Sequence, residues 1–216
     1  MPAVVNPAAV RRWLDEFTRL IEAHAAELTE LDAAIGDADH GTNLQRGTTA
    51  VREALAGLDS ETGVGPLLKT TAMTLISKVG GASGPLYGTL FLRMSTAAGD
   101  SAALDGAGFA TMFRAGVEGV AARGKAVLGD KTMYDALAPA CDALDAALAA
   151  GSDLSAALDS AAAAAAQGRD FVTPLVARKG RASYLGQRSA DHQDPGATSA
   201  VLLIQAAATA LGSPAN

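Results

Sequence analysis

Aromatic side chains make up only 4% of this 216-residue chain, and β-branched residues are sparse outside short runs. Strands draw on both classes, so a mainly β fold is excluded. The single cysteine, Cys141, cannot form an internal disulfide and fits a reducing cytoplasm. No stretch approaches the ~18 consecutive apolar residues of a membrane span. The longest candidate, Val201 to Leu211, is too short and contains Gln205 and Thr209. The N-terminus carries no basic patch followed by an apolar run, so no signal peptide is expected. Cations are outnumbered, 17 Lys and Arg against 23 Asp and Glu, which gives a net charge of −6. A nucleic-acid partner is not expected of such a field. The 23 glycines follow no period of three, which excludes collagen, and 49% hydrophobic with 19% charged residues argues against disorder.

What the chain has in excess is alanine, 50 of 216 residues. Alanine has the highest helix propensity, and the length suits one domain over residues 1–216. Asn6-Pro7 reads as a cap and first turn, after which Val10, Leu14, Phe17, Ile21 and Leu28 recur at helical spacing. That helix is predicted to end near Leu28. Further helices are predicted over 43–58, 67–79, 86–98, from a cap at Asp105 to near Gly124, over 132–149, and from a start at Ser152 or Asp153 towards Arg178, with Pro174 kinking or interrupting the last of these. Residues 180–196 read as loop, and a final helix covers Ala197 to Leu211. The expected fold is all-α, with about eight helices packed as antiparallel neighbours.

The loops carry the unusual chemistry. Asp32, Asp37 and Asp39 fall within eight positions in an apolar-flanked turn, where they would repel one another unless a hard cation such as Mg²⁺ or Ca²⁺ took their oxygens. A solvated turn with an Asp as helix cap is the plain alternative. The pattern is not an EF-hand, because no Glu closes it. Gly80-Gly81-Ala82-Ser83-Gly84 precedes a helix, so its backbone N–H groups and the Ser83 hydroxyl suit an anion. An ordinary inter-helix turn fits as well, and neither the Walker A nor the G-x-G-x-x-G pattern is present. Gly124 to Gly129 has Walker spacing, but Asp130 intervenes before Lys131 and no strand precedes it. A basic cluster, Arg178, Lys179, Arg181 and Arg188, sits in an acidic chain and suggests phosphate recognition, or else a solvated helix end. His24 and Cys141 read as structural, and no paired-Cys or HExxH pattern supports zinc. Acidic residues for Mg²⁺, glycine backbone for phosphates and basic residues for the remaining charge are the parts that phosphoryl transfer requires.

Several segments resemble motifs of the dihydroxyacetone kinase L domain. Leu31 to Asn43 resembles its metal motif, Gly80 to Thr89 its phosphate loop, and Gly129 to Met133 its third motif. Ala177 to Gly186 and His192 to Ser199 resemble the last two, and all occur in family order across nearly the whole chain. Asp191 stands where the family pattern has Gly. The resemblance implies an eight-helix barrel with a nucleotide site formed by loops at one end. It makes Asp32, Asp37 and Asp39 ligands of two Mg²⁺ ions. It makes His40, Gly41, Thr42 and Asn43 nucleotide contacts near the phosphates, and Ala82 and Ser83 the phosphate loop. Gly124 and Met133 would line the adenine side, and Arg181 with Asp194, Pro195 and Gly196 would complete the site.

The resemblance further implies a phosphotransferase subunit holding ADP/ATP. A phosphohistidine donor subunit of the phosphotransferase system would recharge the ADP, and a dihydroxyacetone-binding subunit would present the acceptor. Because the first motif lies close to the start of the sequence, a separate subunit without a substrate domain is expected. Two other readings stay open: a subunit of an ATP-dependent kinase for another ketose or polyol, and a nucleotide sensor that contacts a transcriptional regulator.

Overall fold

The helix propensity of alanine is realised almost throughout residues 4–212, the part described by the computed structural model. Eight α-helices follow one another: α1 (Pro7–Ile35), α2 (His40–Ala56), α3 (Val64–Lys78), α4 (Ser83–Ala98), α5 (Gly106–Gly124), α6 (Tyr134–Ala149), α7 (Leu154–Val172) and α8 (Pro195–Leu211). A 3₁₀ segment, Arg181–Ser189, lies between α7 and α8 and is broken at Gly186. Among the described residues the β content is one isolated bridge, Val5 to Leu104.

The caps expected from sequence are formed. Asn6 accepts from Ala9 N at 2.9 Å, Asp105 from Gly108 N at 2.8 Å and Asp153 from Ala156 N at 2.9 Å. The boundaries differ in three informative places. α1 does not stop near Leu28 but runs to Ile35, because Asp32 and Ile35 continue its buried face. α7 ends at Val172 instead of reaching Arg178, since Pro174 cannot donate and restricts Thr173 before it. α8 begins two residues before Ala197, with Asp194 as cap and Pro195 at the first position.

Each helix packs against its neighbours in sequence, and α8 returns to pack on α1, so the eight close into a ring. Six of the nine aromatics fill its middle. Trp13, Phe17, Tyr87, Phe91, Phe109 and Phe113 are all buried, with Trp13 5.9 Å from Phe91 and 5.8 Å from Phe109 between ring centroids. Trp13 Nε1 donates to Leu203 O at 3.0 Å, which ties α1 to α8. Small residues bring backbones together at the wall. Pro139 leaves the Asp135 carbonyl of α6 without its helical donor, and a Cβ at Gly168 of α7 would lie 2.0 Å from that oxygen. Such a ring sends the ends of α1, α3, α5 and α7 to one side, and the loops that follow them meet there.

Candidate functional site

One cleft is lined by residues from all four of these loops. Asp32 enters it from the last turn of α1. Its Oδ2 accepts from the backbone N–H groups of Asp39 (2.8 Å) and His40 (3.2 Å), so it caps α2 across the turn. Ala38, in the left-handed region at φ 61°, reverses the chain between Asp37 and Asp39. One carboxylate oxygen from each of Asp32, Asp37 and Asp39 lies within 4.8 Å of the other two. Three hard oxygens so close, at the negative end of α1, fit a divalent cation such as Mg²⁺. Arg181 Nη2 reaches Asp37 Oδ2 at 2.9 Å, but with 67% of its side chain exposed this pair is mostly solvated and weak.

Facing the carboxylates is the turn before α4. Gly81 adopts φ 63°, and α4 starts at Ser83 with no side-chain cap on its first N–H groups. Uncapped donors at a helix N-terminus suit an anion. Behind this turn His40 is buried, with Nδ1 3.1 Å from Ser83 Oγ and Nε2 2.9 Å from Ser199 Oγ. Burial pulls the imidazole down to about 4, although Asp32 and Asp39 oppose the shift. His40 is therefore neutral at pH 7.

The third and fourth walls are held by buried charge. Lys131, in the left-handed region at φ 64°, is 1% exposed and donates from Nζ to Thr173 O (2.8 Å), Leu175 O (2.9 Å) and Ser189 O (2.6 Å). It pins the α7–α8 connection to the α5–α6 loop. Asp135 accepts from Gly129 N (2.6 Å) and Thr132 N (2.8 Å), and burial raises its carboxyl against those two bonds. Asp194 caps α8 through Ala197 N at 2.7 Å. Burial lifts it to about 7, opposed by the Ala197 N–H and by Lys131, and reinforced by Asp135 and Asp32. Beside the cleft is an apolar pocket of about 270 Å³ formed by Pro85, Leu86, Val120, Gly124 and Ala126. The two share Ala82, Leu86, Thr132, Lys179 and Gly180. A ligand with an anionic end and a flat apolar end matches the pair.

The cleft brings together Asp32, Asp37, Asp39, His40, Asn43, Ala82, Ser83, Met133, Arg181, Asp194, Pro195 and Gly196. Gly124 lies in the apolar pocket instead. Gly41 and Thr42 do not line either. Gly41 lets α2 approach α1, where a Cβ would meet Ala25 O at 2.0 Å, and the exposed Thr42 donates to Asp39 O. Lys179 joins Arg181 at the cleft, while Arg178 and Arg188 are exposed outside it. Sequence reasoning gave no role to Lys131, Tyr87 or Ser199. Helical spacing was the available signal for two of them: Tyr87 is one turn beyond Ser83, and Ser199 one turn beyond Pro195.

The DAK2 domain profile matches residues 34–209, most of the chain. The chain belongs to the DAK2 domain family. As a DAK2 domain it is 43% identical over 198 residues to the ADP-binding subunit DhaL of the PEP-dependent dihydroxyacetone kinase of Escherichia coli K12, covering 92% of this chain and 94% of that one. It is 44% identical over 195 residues to the DhaL subunit of PEP-dependent dihydroxyacetone kinase 1 of Listeria innocua, covering 90% and 92%. In fold it resembles the dihydroxyacetone kinase of C. freundii, solved with AMP-PNP and Mg²⁺, at a TM-score of 0.71 and 23% identity. That match covers 97% of this DAK2 domain and 34% of the kinase, so the chain spans about a third of the solved protein.

Proposed function

We propose that this chain is the ADP-binding subunit of a PEP-dependent dihydroxyacetone kinase. Bound ADP would be rephosphorylated by a phosphohistidine subunit of the phosphotransferase system, and the phosphoryl group passed to dihydroxyacetone on a substrate-binding subunit, in the cytoplasm. The observation that carries this reading is the meeting of three carboxylates with the uncapped N-terminus of α4 in one cleft, beside an apolar pocket. The length over which the chain follows the DhaL subunits supports it.

Each wall has a task in this reading. Asp32, Asp37 and Asp39 hold the metal, which we take to be two Mg²⁺ ions. When bound, Mg²⁺ neutralises phosphate charge and orients the phosphate oxygens. Asp32 is preset for this by its two backbone N–H bonds. The backbone of residues 80–83 and the Ser83 hydroxyl receive phosphate, with Lys179 and Arg181 at the rim for residual charge. His40 and Asn43 lie below the phosphates, and Met133 and Asp194 to Gly196 close the far wall. The pocket at Gly124 takes the base. In this reading the acceptor hydroxyl is activated on the partner subunit.

The test is reconstitution. The chain is mixed with a phosphorylated donor subunit and a dihydroxyacetone-binding subunit, and dihydroxyacetone phosphate is measured. Product that requires this chain and ADP is expected. No product with all three proteins present would refute the assignment. Product formed equally well from free ATP without the donor would assign the chain to an ATP-dependent kinase instead.

A further inference from the structure

Arg46 lies on α2, exposed and outside the cleft, and the proposed chemistry gives it no task. Its guanidinium nevertheless grips two fixed groups. Nη2 donates to Asn43 Oδ1 at 2.6 Å, about one helical turn back, and Nε donates to Lys78 O at 2.9 Å. Lys78 is the last residue of α3, so its carbonyl has no donor within that helix. The bond to Lys78 O holds the planar guanidinium in place, and the bond to Oδ1 is charge-assisted.

Asn43 is 7% exposed and lines the cleft beside Gly80, Gly81, Ala82 and Ser83. Its amide lies against the turn before α4, where a Cβ at Gly80 would be 3.0 Å from Nδ2 and 3.2 Å from Oδ1. An amide has one acceptor end and one donor end, whereas a guanidinium has donors only. Oδ1 therefore faces Arg46, and the NH₂ group turns to the other side. Among the described residues no acceptor in the chain takes the Nδ2 protons, and no buried side-chain nitrogen or oxygen lacks a partner. Nδ2 is thus open to the cleft, at the level of the glycine turn.

We propose that Arg46 is a positioning residue: by holding Oδ1 it keeps both Nδ2 protons of Asn43 turned to an anion at the α4 N-terminus. With the amide reversed, Oδ1 would set its lone pairs against the phosphate oxygens. That the anion is the phosphate of ADP rests on the reading above; the orientation of the amide rests on the Arg46 bond.

The contact is tested without nucleotide. Asn43→Asp turns the bond to Arg46 into an ion pair, so its effect on melting temperature should be more favourable by about 2–4 °C in the wild-type background than in the Arg46→Met background. Effects that are equal in the two backgrounds overturn the proposal. The consequence is read as Mg-ADP affinity. Asn43→Ala should weaken binding about tenfold or more, as expected for a lost bond to a charged group. Arg46→Met should weaken it about threefold or more, but less than about twofold in the Asn43→Ala background, because it acts through Asn43. An equal loss in both backgrounds would mean that Arg46 acts through its own charge, and overturns the proposal. Asn43→Asp keeps the Arg46 bond but presents a carboxylate where two protons stood, so it should bind Mg-ADP more weakly than Asn43→Ala. Binding as tight as wild type overturns the proposal, and this arm decides if Arg46→Met folds poorly. Wild type that binds no Mg-ADP would defeat the ADP reading. The same variants are then titrated with Mg-pyrophosphate, where wild type binding no tighter than Arg46→Met overturns the proposal.

Discussion

Single residues in this molecule show how conformation and burial override composition. Lys125 caps α5 in the left-handed region at φ 47°, ψ 40°, with its N–H on Ala121 O. Its side chain is exposed, so the strained backbone is the main contribution of the position. Lys125→Gly should raise stability by about 0.5–1 kcal/mol, the left-handed cost less the entropy of glycine in the unfolded chain. Thermal melting should show a rise of about 1–4 °C for a chain of this size. Asp191 occupies a similar backbone, φ 64°, which explains why a glycine was expected there.

Asp194 gives a pH prediction. Its carboxyl is held at about 7, above its ordinary 3.8, chiefly by burial. Well below pH 4 it is protonated in both folded and unfolded chains and has no effect on stability. As pH rises from about 4 to about 7 the unfolded chain loses the proton first, and stability falls. His40, held at about 4, slopes the other way over much of that range, so the wild type should look flat. Asp194→Asn keeps the cap acceptor and removes one slope. The stability difference between variant and wild type, without nucleotide, should be small below pH 4 and grow in favour of Asn up to about pH 7. A difference independent of pH would mean that Asp194 ionises normally in the folded chain.

At the scale of elements, the sequence was legible wherever caps and apolar periodicity agreed. Asn6-Pro7, Asp105 and Asp153 sit where their side chains are found to cap. It was least legible where a polar residue serves the interior. Asp32 looked like the start of a loop because it is charged, yet it lies on the buried face of α1, satisfied by α2 backbone seven and eight residues away. That partner exists only after the chain folds back. Lys131 was silent for the same reason, since its three carbonyl acceptors are more than 40 residues distant. The helix wall offers a sharp test at Gly168. Glycine to alanine normally helps a helix by about 1 kcal/mol. Here the new Cβ would meet Asp135 O at 2.0 Å and Pro139 Cγ at 3.1 Å. Backbone cannot yield as a side chain can, so Gly168→Ala should destabilise by about 2–3 kcal/mol in denaturant melts. A stabilising effect would contradict the close approach of α6 and α7.

For the whole molecule, alanine-rich helices close a ring whose interior takes most of the scarce aromatics, and the alternate ends bring carboxylates, glycines and cations to one side. Most of the residues that the sequence motifs named line the cleft on that side. They could not separate Gly41, which serves packing, from His40, which meets the cleft, because adjacent residues on a helix face different ways. A site assembled from four loops also couples ligand to fold. Mg-ADP at 100 times its Kd should add about 2.7 kcal/mol to stability, read as a concentration-dependent rise in melting temperature.

The central claim is that these loops form an ADP site that depends on its carboxylates. Equilibrium dialysis of ADP against wild type and Asp37→Ala, with Mg²⁺ and with EDTA, tests it most directly. Stoichiometric ADP on wild type with Mg²⁺ is expected, lost with EDTA and lost in Asp37→Ala, whose far-UV circular dichroism should match wild type. ADP held equally well in EDTA, or by Asp37→Ala, would contradict the account.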